Sequence, residues 1–230
     1  MNKVVGILGG MGPMATVDLF QKIIENTPAL VDQDHLRIII DSNAKIPSRI
    51  DAIMQGTKTP LPEMIKSAKT LQLAGADLIL IPCHTAHHWL EKLQNNITIP
   101  VLNLIELTAL YTRKHFTDTG QILLLASEAA VKLGLYEKYF KHSNVQLLLP
   151  GRQEQSIVSV AIKEVKCGSI KNNSHLEQLN SIIAKYQAKG ILAVLGGCTE
   201  ISLLFPYFDH CIKKIDPTLI MAIKTISLAQ

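Results

Sequence analysis

Short apolar runs alternating with helix-length amphipathic segments predict an α/β chain, organised as two similar doubly wound parallel-sheet domains facing each other across a cleft. Three observations carry this reading. Runs such as Val4-Val5-Gly6-Ile7-Leu8 and Ile191-Leu192-Ala193-Val194-Leu195 are of strand length and apolar throughout, as buried parallel strands are. The segments between them carry helix start and stop signals. Finally, Leu8 and Cys83 are 75 residues apart and Leu125 and Cys198 are 73 apart, so the spacing from first strand to cysteine is almost equal in the two halves.

The strand ending at Leu8 runs into Gly9-Gly10-Met11-Gly12-Pro13, a turn, and residues 14 to 27 follow as a helix that Thr27-Pro28 stops. Arg37 to Ile40 is the second strand, leading into the polar, proline-containing loop 41 to 49. A helix over 63 to 74 ends near Gly75, and Leu78 to Ile81 is a third strand that delivers Pro82-Cys83-His84-Thr85-Ala86-His87. A helix over about 86 to 95 precedes a fourth strand, Ile97 to Leu102. The second half reads as strand 121 to 125, helix 130 to 140, strand 145 to 149, helices 153 to 165 and 175 to 188, and strand 191 to 195. That last strand delivers Gly196-Gly197-Cys198-Thr199-Glu200. The expected domains are 1–105, completed by 212–230, and 106–211. Strand, helix and strand in succession imply right-handed crossovers, which place ligands at the carboxyl ends of the strands, where both cysteines fall.

Of the 230 residues, 47% are hydrophobic and 18% charged, a balance that speaks against disorder. No run reaches the ~20 apolar residues of a membrane span, and the opening lacks the form of a signal peptide, so a cytoplasmic protein is expected. The net charge of +4 is slight, and Lys213-Lys214 stands without aromatic interleaving, which argues against a nucleic-acid partner. The four cysteines, at 83, 167, 198 and 211, lack the paired spacing of a zinc knuckle, and thiols are expected. His84, His87 and His88 beside Cys83 invite a metal reading, but adjacent residues on a new helix diverge and no second cluster completes a ligand set. No metal and no cofactor is therefore expected.

Cys83 and Cys198 carry the chemistry. Moving a proton across a stereocentre without a cofactor needs a base on one face and an acid on the other. A thiolate and a thiol can coexist near neutral pH, because an adjacent helix terminus or a cation lowers a thiol pKa. A single cysteine in an apolar strand is more often core, yet here each follows a strand and precedes a Thr within two positions. Thr85 and Thr199 can give hydroxyl bonds to a substrate carboxylate or a developing enolate-like oxygen. The glycine turn departs from phosphate and dinucleotide patterns, leaving a carboxylate-lining turn or a packing turn. Arg49 can fork onto a carboxylate or sit solvated, Lys166 can do the same or answer a helix dipole, and His87 can orient the cysteine loop or fill the wall.

On the stretches Ile7 to Pro13, Pro82 to His87 and Gly197 to Ile201, the chain resembles the aspartate/glutamate racemase family, the cofactor-independent two-cysteine racemases. The resemblance spans nearly the whole chain. It implies an amino-acid racemase of two α/β domains, usually a homodimer, interconverting L and D aspartate, glutamate or a related small acid between Cys83 and Cys198. It also implies substrate contacts from Met11, Arg49, Thr85, Thr199 and Glu200, and from Lys166 on a looser match. Three departures bear on substrate. His84 stands where the family usually has Asn, and Ser48 where it has Asp. Ala126-Ser127-Glu128-Ala129-Ala130 replaces an Ala-Thr-x-x-Thr stretch, so Ser127 keeps a hydroxyl and Ala130 does not. A non-catalytic amino-acid or metabolite-binding protein, or a related cysteine-dependent isomerase or decarboxylase, is the alternative.

Overall fold

A computed structural model describes residues 3–141, 143–209 and 211–230. The chain divides into two compact units, Met1–Leu104 with Thr218–Gln230, and Ile105–Pro217. The first contains β1 (Val5–Gly9), α1 (Pro13–Asn26), β2 (Ile38–Ser42), α2 (Arg49–Gln55), α3 (Leu61–Leu73), β3 (Leu78–Leu80) and α4 (Leu90–Gln94). Next comes α5 (Leu104–His115), at whose first residue the chain passes to the second unit. That unit continues with β4 (Gly120–Ala126), α6 (Glu128–Lys132), α7 (Glu137–Phe140), β5 (Val145–Leu148), α8 (Arg152–Lys166), α9 (Leu176–Gln187), β6 (Ala193–Gly197), α10 (Thr199–Leu204) and β7 (Lys213–Ile215). The last helix, α11 (Pro217–Ala229), belongs almost wholly to the first unit.

Both sheets are parallel and share one strand order, β2-β1-β3 in the first unit and β5-β4-β6-β7 in the second. The repeat seen in the sequence is thus a repeat of topology: the first strand of each half is central and the cysteine-bearing strand lies beside it. In the first unit, Val5, Ile7, Leu78 and Leu80 pack with Leu19 and Ile23 of α1 and with Met221, Ala222 and Ile226 of α11. Their neighbours Leu8, Ile79 and Ile81 pack with Met64, Ala68 and Leu71 of α3 on the other face. Period-two alternation in a run that is apolar throughout therefore feeds two cores, which is what a doubly wound sheet requires. In the second unit Leu123, Leu125 and Val194 meet α8 and α9 through Val158, Ile162, Leu179 and Ile183.

Four local differences from the sequence reading have physical causes. The expected fourth strand, Ile97 to Leu102, is a single bridge between Ile79 and Val101, since Pro100 offers a carbonyl but no N–H and Gln72 holds Thr98 aside. In the second unit the matching position is filled by β7, whose exposed lysines suit an edge strand. The helix expected over 130 to 140 is two short helices, because Gly134 adopts a φ of 58° between them. Arg49, read as the end of a loop, opens α2, with the Ser48 hydroxyl accepting from the Asp51 amide at 3.2 Å.

Candidate active site

In the first unit, three connections leave the carboxyl ends of adjacent strands: the glycine turn after β1, the proline loop after β2, and the Cys83 loop after β3. Gly10 takes a φ of 84°, and a Cβ there would lie 2.4 Å from the Asn43 backbone, so the turn needs glycine on both counts. Its amide donates to Thr16 Oγ1 at 2.9 Å. Met11 is buried, and its carbonyl accepts from Arg49 Nη2 at 3.1 Å. Arg49 Nη1 also donates to the carbonyls of Ile46 and Pro47, at 3.1 and 2.9 Å. The guanidinium thus ties the glycine turn to the proline loop. It is buried rather than solvated, and its Nε, also buried, has no hydrogen-bond partner.

Cys83 is 7% exposed, and its amide donates to the Ile81 carbonyl at 2.8 Å. The chain then winds through a 3-10 turn, Thr85–Trp89, rather than directly into an α-helix. His87 on that turn approaches the Cys83 carbonyl through Nδ1 at 2.9 Å, and the Leu104 amide donates to its Nε2 at 3.1 Å. Burial pushes its pKa below the ordinary histidine value, against the opposing pull of the Cys83, Leu102 and His84 backbone groups. Thr85 and His84 are buried beside the cysteine.

In the second unit β6 ends at Gly197, and Cys198 remains extended (φ −138°, ψ 139°) as the N-cap of α10. It is 6% exposed. Its thiol donates to Glu200 Oε2 at 2.7 Å, and the Thr199 hydroxyl donates to the same oxygen at 3.2 Å. Glu200 is only 3% exposed, and its Oε1 is buried without a hydrogen-bond partner. Ala126 pairs with Gly197, so Ser127 and Cys198 leave neighbouring strand ends. The Ser127 hydroxyl oxygen caps α6 by accepting from the Ala130 amide at 3.3 Å. Lys166 is the last residue of α8, half-buried beside the exposed Cys167.

Tyr136 is a neighbour of Cys198 that the sequence reading did not single out. Burial drives its phenol well above the ordinary tyrosine range, and the electrostatic influence of the nearby Cys198 and Asp216 adds to this, against a hydrogen bond from Thr108. Nothing in the local sequence marks it, since it lies in the connection between two short helices and comes near Cys198 only through the fold. Among the described residues no group of three or more His, Cys, Asp or Glu side chains could hold a metal, and no helix is long and apolar enough to cross a membrane.

Each unit therefore presents a buried thiol at the carboxyl end of the strand beside its central strand, one held by a histidine-braced loop and one bonded to a buried carboxylate. Residues 8–224 match the family model described as Asp/Glu/Hydantoin racemase. The structure is similar to an aspartate racemase from Picrophilus torridus, 31% identical with a TM-score of 0.85, covering 98% of this chain and 94% of that one. It is also similar to an aspartate racemase homologue from Pyrococcus horikoshii OT3, 26% identical with a TM-score of 0.77, covering 100% and 99%. In sequence it is 22% identical over 232 residues to the broad specificity amino-acid racemase RacX of Bacillus subtilis (strain 168), covering 97% of this chain and 96% of that protein. The fold agrees with a family match over nearly the whole chain, and the chain belongs to the Asp/Glu/hydantoin racemase family.

Proposed function

We propose that the protein is a cofactor-independent racemase that interconverts the L and D forms of aspartate, glutamate or a related amino acid by proton transfer at Cys83 and Cys198. One observation carries the reading: each cysteine follows the equivalent strand, β3 or β6, of two units with the same strand order. A structural cysteine has no reason to recur at the same point of both halves.

In one direction the Cys198 thiol passes its proton to the Glu200 carboxylate, so the S–H bond breaks, an O–H bond forms and the electron pair stays on sulfur. The thiolate then takes the substrate α-proton. The C–H pair left behind spreads into the substrate carboxylate, and the Cys83 thiol delivers its proton to the opposite face. The reverse reaction starts from the Cys83 thiolate. General acid and base groups placed this way contribute factors of about 10² to 10⁴ each. Arg49 and Lys166 are the proposed cations for the substrate carboxylates, with Met11, Thr85, Ser127 and Thr199 as wall and hydroxyl contacts. The bond from the Thr199 hydroxyl to Glu200 supports a second task for that threonine, aiming the carboxylate at the thiol. A homodimer working in the cytoplasm completes the reading.

The test is incubation of the purified protein with each enantiomer of aspartate and glutamate in deuterated water, without added cofactor. Deuterium should enter the α position, and chiral chromatography should detect the opposite enantiomer. If a broad amino-acid panel showed neither, the proposal would fall.

A further inference from the structure

His87 lies between two backbone groups from different segments, the Cys83 carbonyl at 2.9 Å from Nδ1 and the Leu104 amide at 3.1 Å from Nε2. A backbone N–H can only donate, so Nε2 must be the unprotonated nitrogen. The ring hydrogen then resides on Nδ1 and is given to the Cys83 carbonyl. The imidazole is therefore neutral, and its burial favours that state. The Cys83 amide is already bonded to the Ile81 carbonyl. Both main-chain hydrogen-bonding groups of Cys83 are thus held, and the sulfur is left little freedom beyond rotation about its own χ1. Leu104, at the far side of the ring, is fully buried in the core that α1 and α11 share, so the brace is anchored to a packed segment rather than to a mobile loop.

We propose that His87 is the positioning residue of Cys83: a neutral imidazole that locks the carbonyl of the thiol-bearing residue to the Leu104 amide and so sets the direction in which the sulfur is presented. The inference rests on the two-thiol reading above, but its observable is the placement of one thiol. The ring carries no charge, so its contribution is geometric, and misplacement of a reacting group by about 1 Å can cost about 10²-fold in rate.

The experiment compares His87→Leu, which keeps bulk and loses both bonds, with His87→Gln, whose amide offers one donor and one acceptor side by side. For His87→Leu, kcat should fall about 10²-fold with KM within about threefold of wild type. Alkylation of Cys83 by iodoacetamide, followed by peptide mass spectrometry, should change at least about threefold while that of Cys198 does not, since only the Cys83 loop loses its brace. His87→Gln should return both quantities to within about threefold of wild type. If the leucine variant does not fold, His87→Asn replaces it, because its shorter amide can keep the bond to Cys83 and must drop the one to Leu104. A folded leucine or asparagine variant with unchanged Cys83 alkylation and unchanged kcat overturns the proposal, as does a glutamine variant as impaired as the leucine one. Alkylation needs no turnover, so an inactive wild type whose Cys83 reactivity still follows residue 87 would sink the racemase reading and leave the positioning role standing.

Discussion

Glu200 is a buried carboxylate, with one oxygen taking two donors and the other taking none. Such burial is costly unless the group is paired or protonated, so its presence two residues from Cys198 asks for a chemical reason. In the proposed mechanism, proton exchange with the thiol supplies one. Replacement by glutamine keeps the shape and a carbonyl acceptor but cannot take up the proton, so Glu200→Gln should lower kcat about 10²-fold with a smaller change in KM. Steady-state racemisation kinetics in both directions would measure it, and a variant with wild-type kcat would remove Glu200 from the proton path. The placement of the two cysteines at equivalent strand ends was legible in the sequence because their spacing nearly repeats. The bond from Cys198 to Glu200 was not. It depends on Cys198 staying extended while Thr199 begins a helix, which brings residues two apart into contact that a continuous helix would direct to different faces. Arg49 was legible as a candidate only, since its three bonds to backbone carbonyls depend on how two loops meet.

Among the elements, the 3-10 turn Thr85–Trp89 couples stability to acidity through His87. Its folded pKa is lowered from the ordinary value of about 6.5. As pH falls below that value, the unfolded chain binds a proton before the folded one does. The stability from the neutral ring is therefore complete above about pH 6.5 and is lost as pH falls toward the depressed folded value. Urea denaturation between pH 7 and pH 5 should show wild type losing more stability on acidification than His87→Gln, and parallel curves would refute the linkage. The elements best read from sequence are those with long, clear periodicity: α1, α3, α8 and α9, and the strands around them. Short elements were misread where one residue decides. Pro100 reduces an apolar run to a single bridge, Gly134 divides a helix, and β7 hides in a lysine pair because edge strands tolerate charge.

At the scale of the whole molecule, the proposed homodimer predicts a mass in light scattering of twice the 25.3 kDa chain, and a monomer at working concentrations would overturn it. The exposed apolar residues Met14, Val17, Phe20 and Ile24 recur at three- and four-residue intervals along α1. The two-unit architecture was legible because strand spacing repeats through the chain; which side chains meet their neighbours was not, because no short pattern records it.

The first unit is assembled from two stretches far apart in sequence, while the second is one uninterrupted stretch. α11 supplies Met221, Ala222, Ile226 and Ala229 to one face of the first sheet, and the Lys3 amide donates to the Ala229 carbonyl at 2.9 Å. During synthesis the second unit can therefore acquire all of its own residues before the first has its closing helix. The half made first is finished last, and until residues 218–230 have emerged, Val5, Ile7, Leu78 and Leu80 lack part of their cover. Without that helix one face of the first sheet would present bare apolar side chains to water, so closure of the first unit is tied to a segment that follows the whole of the second.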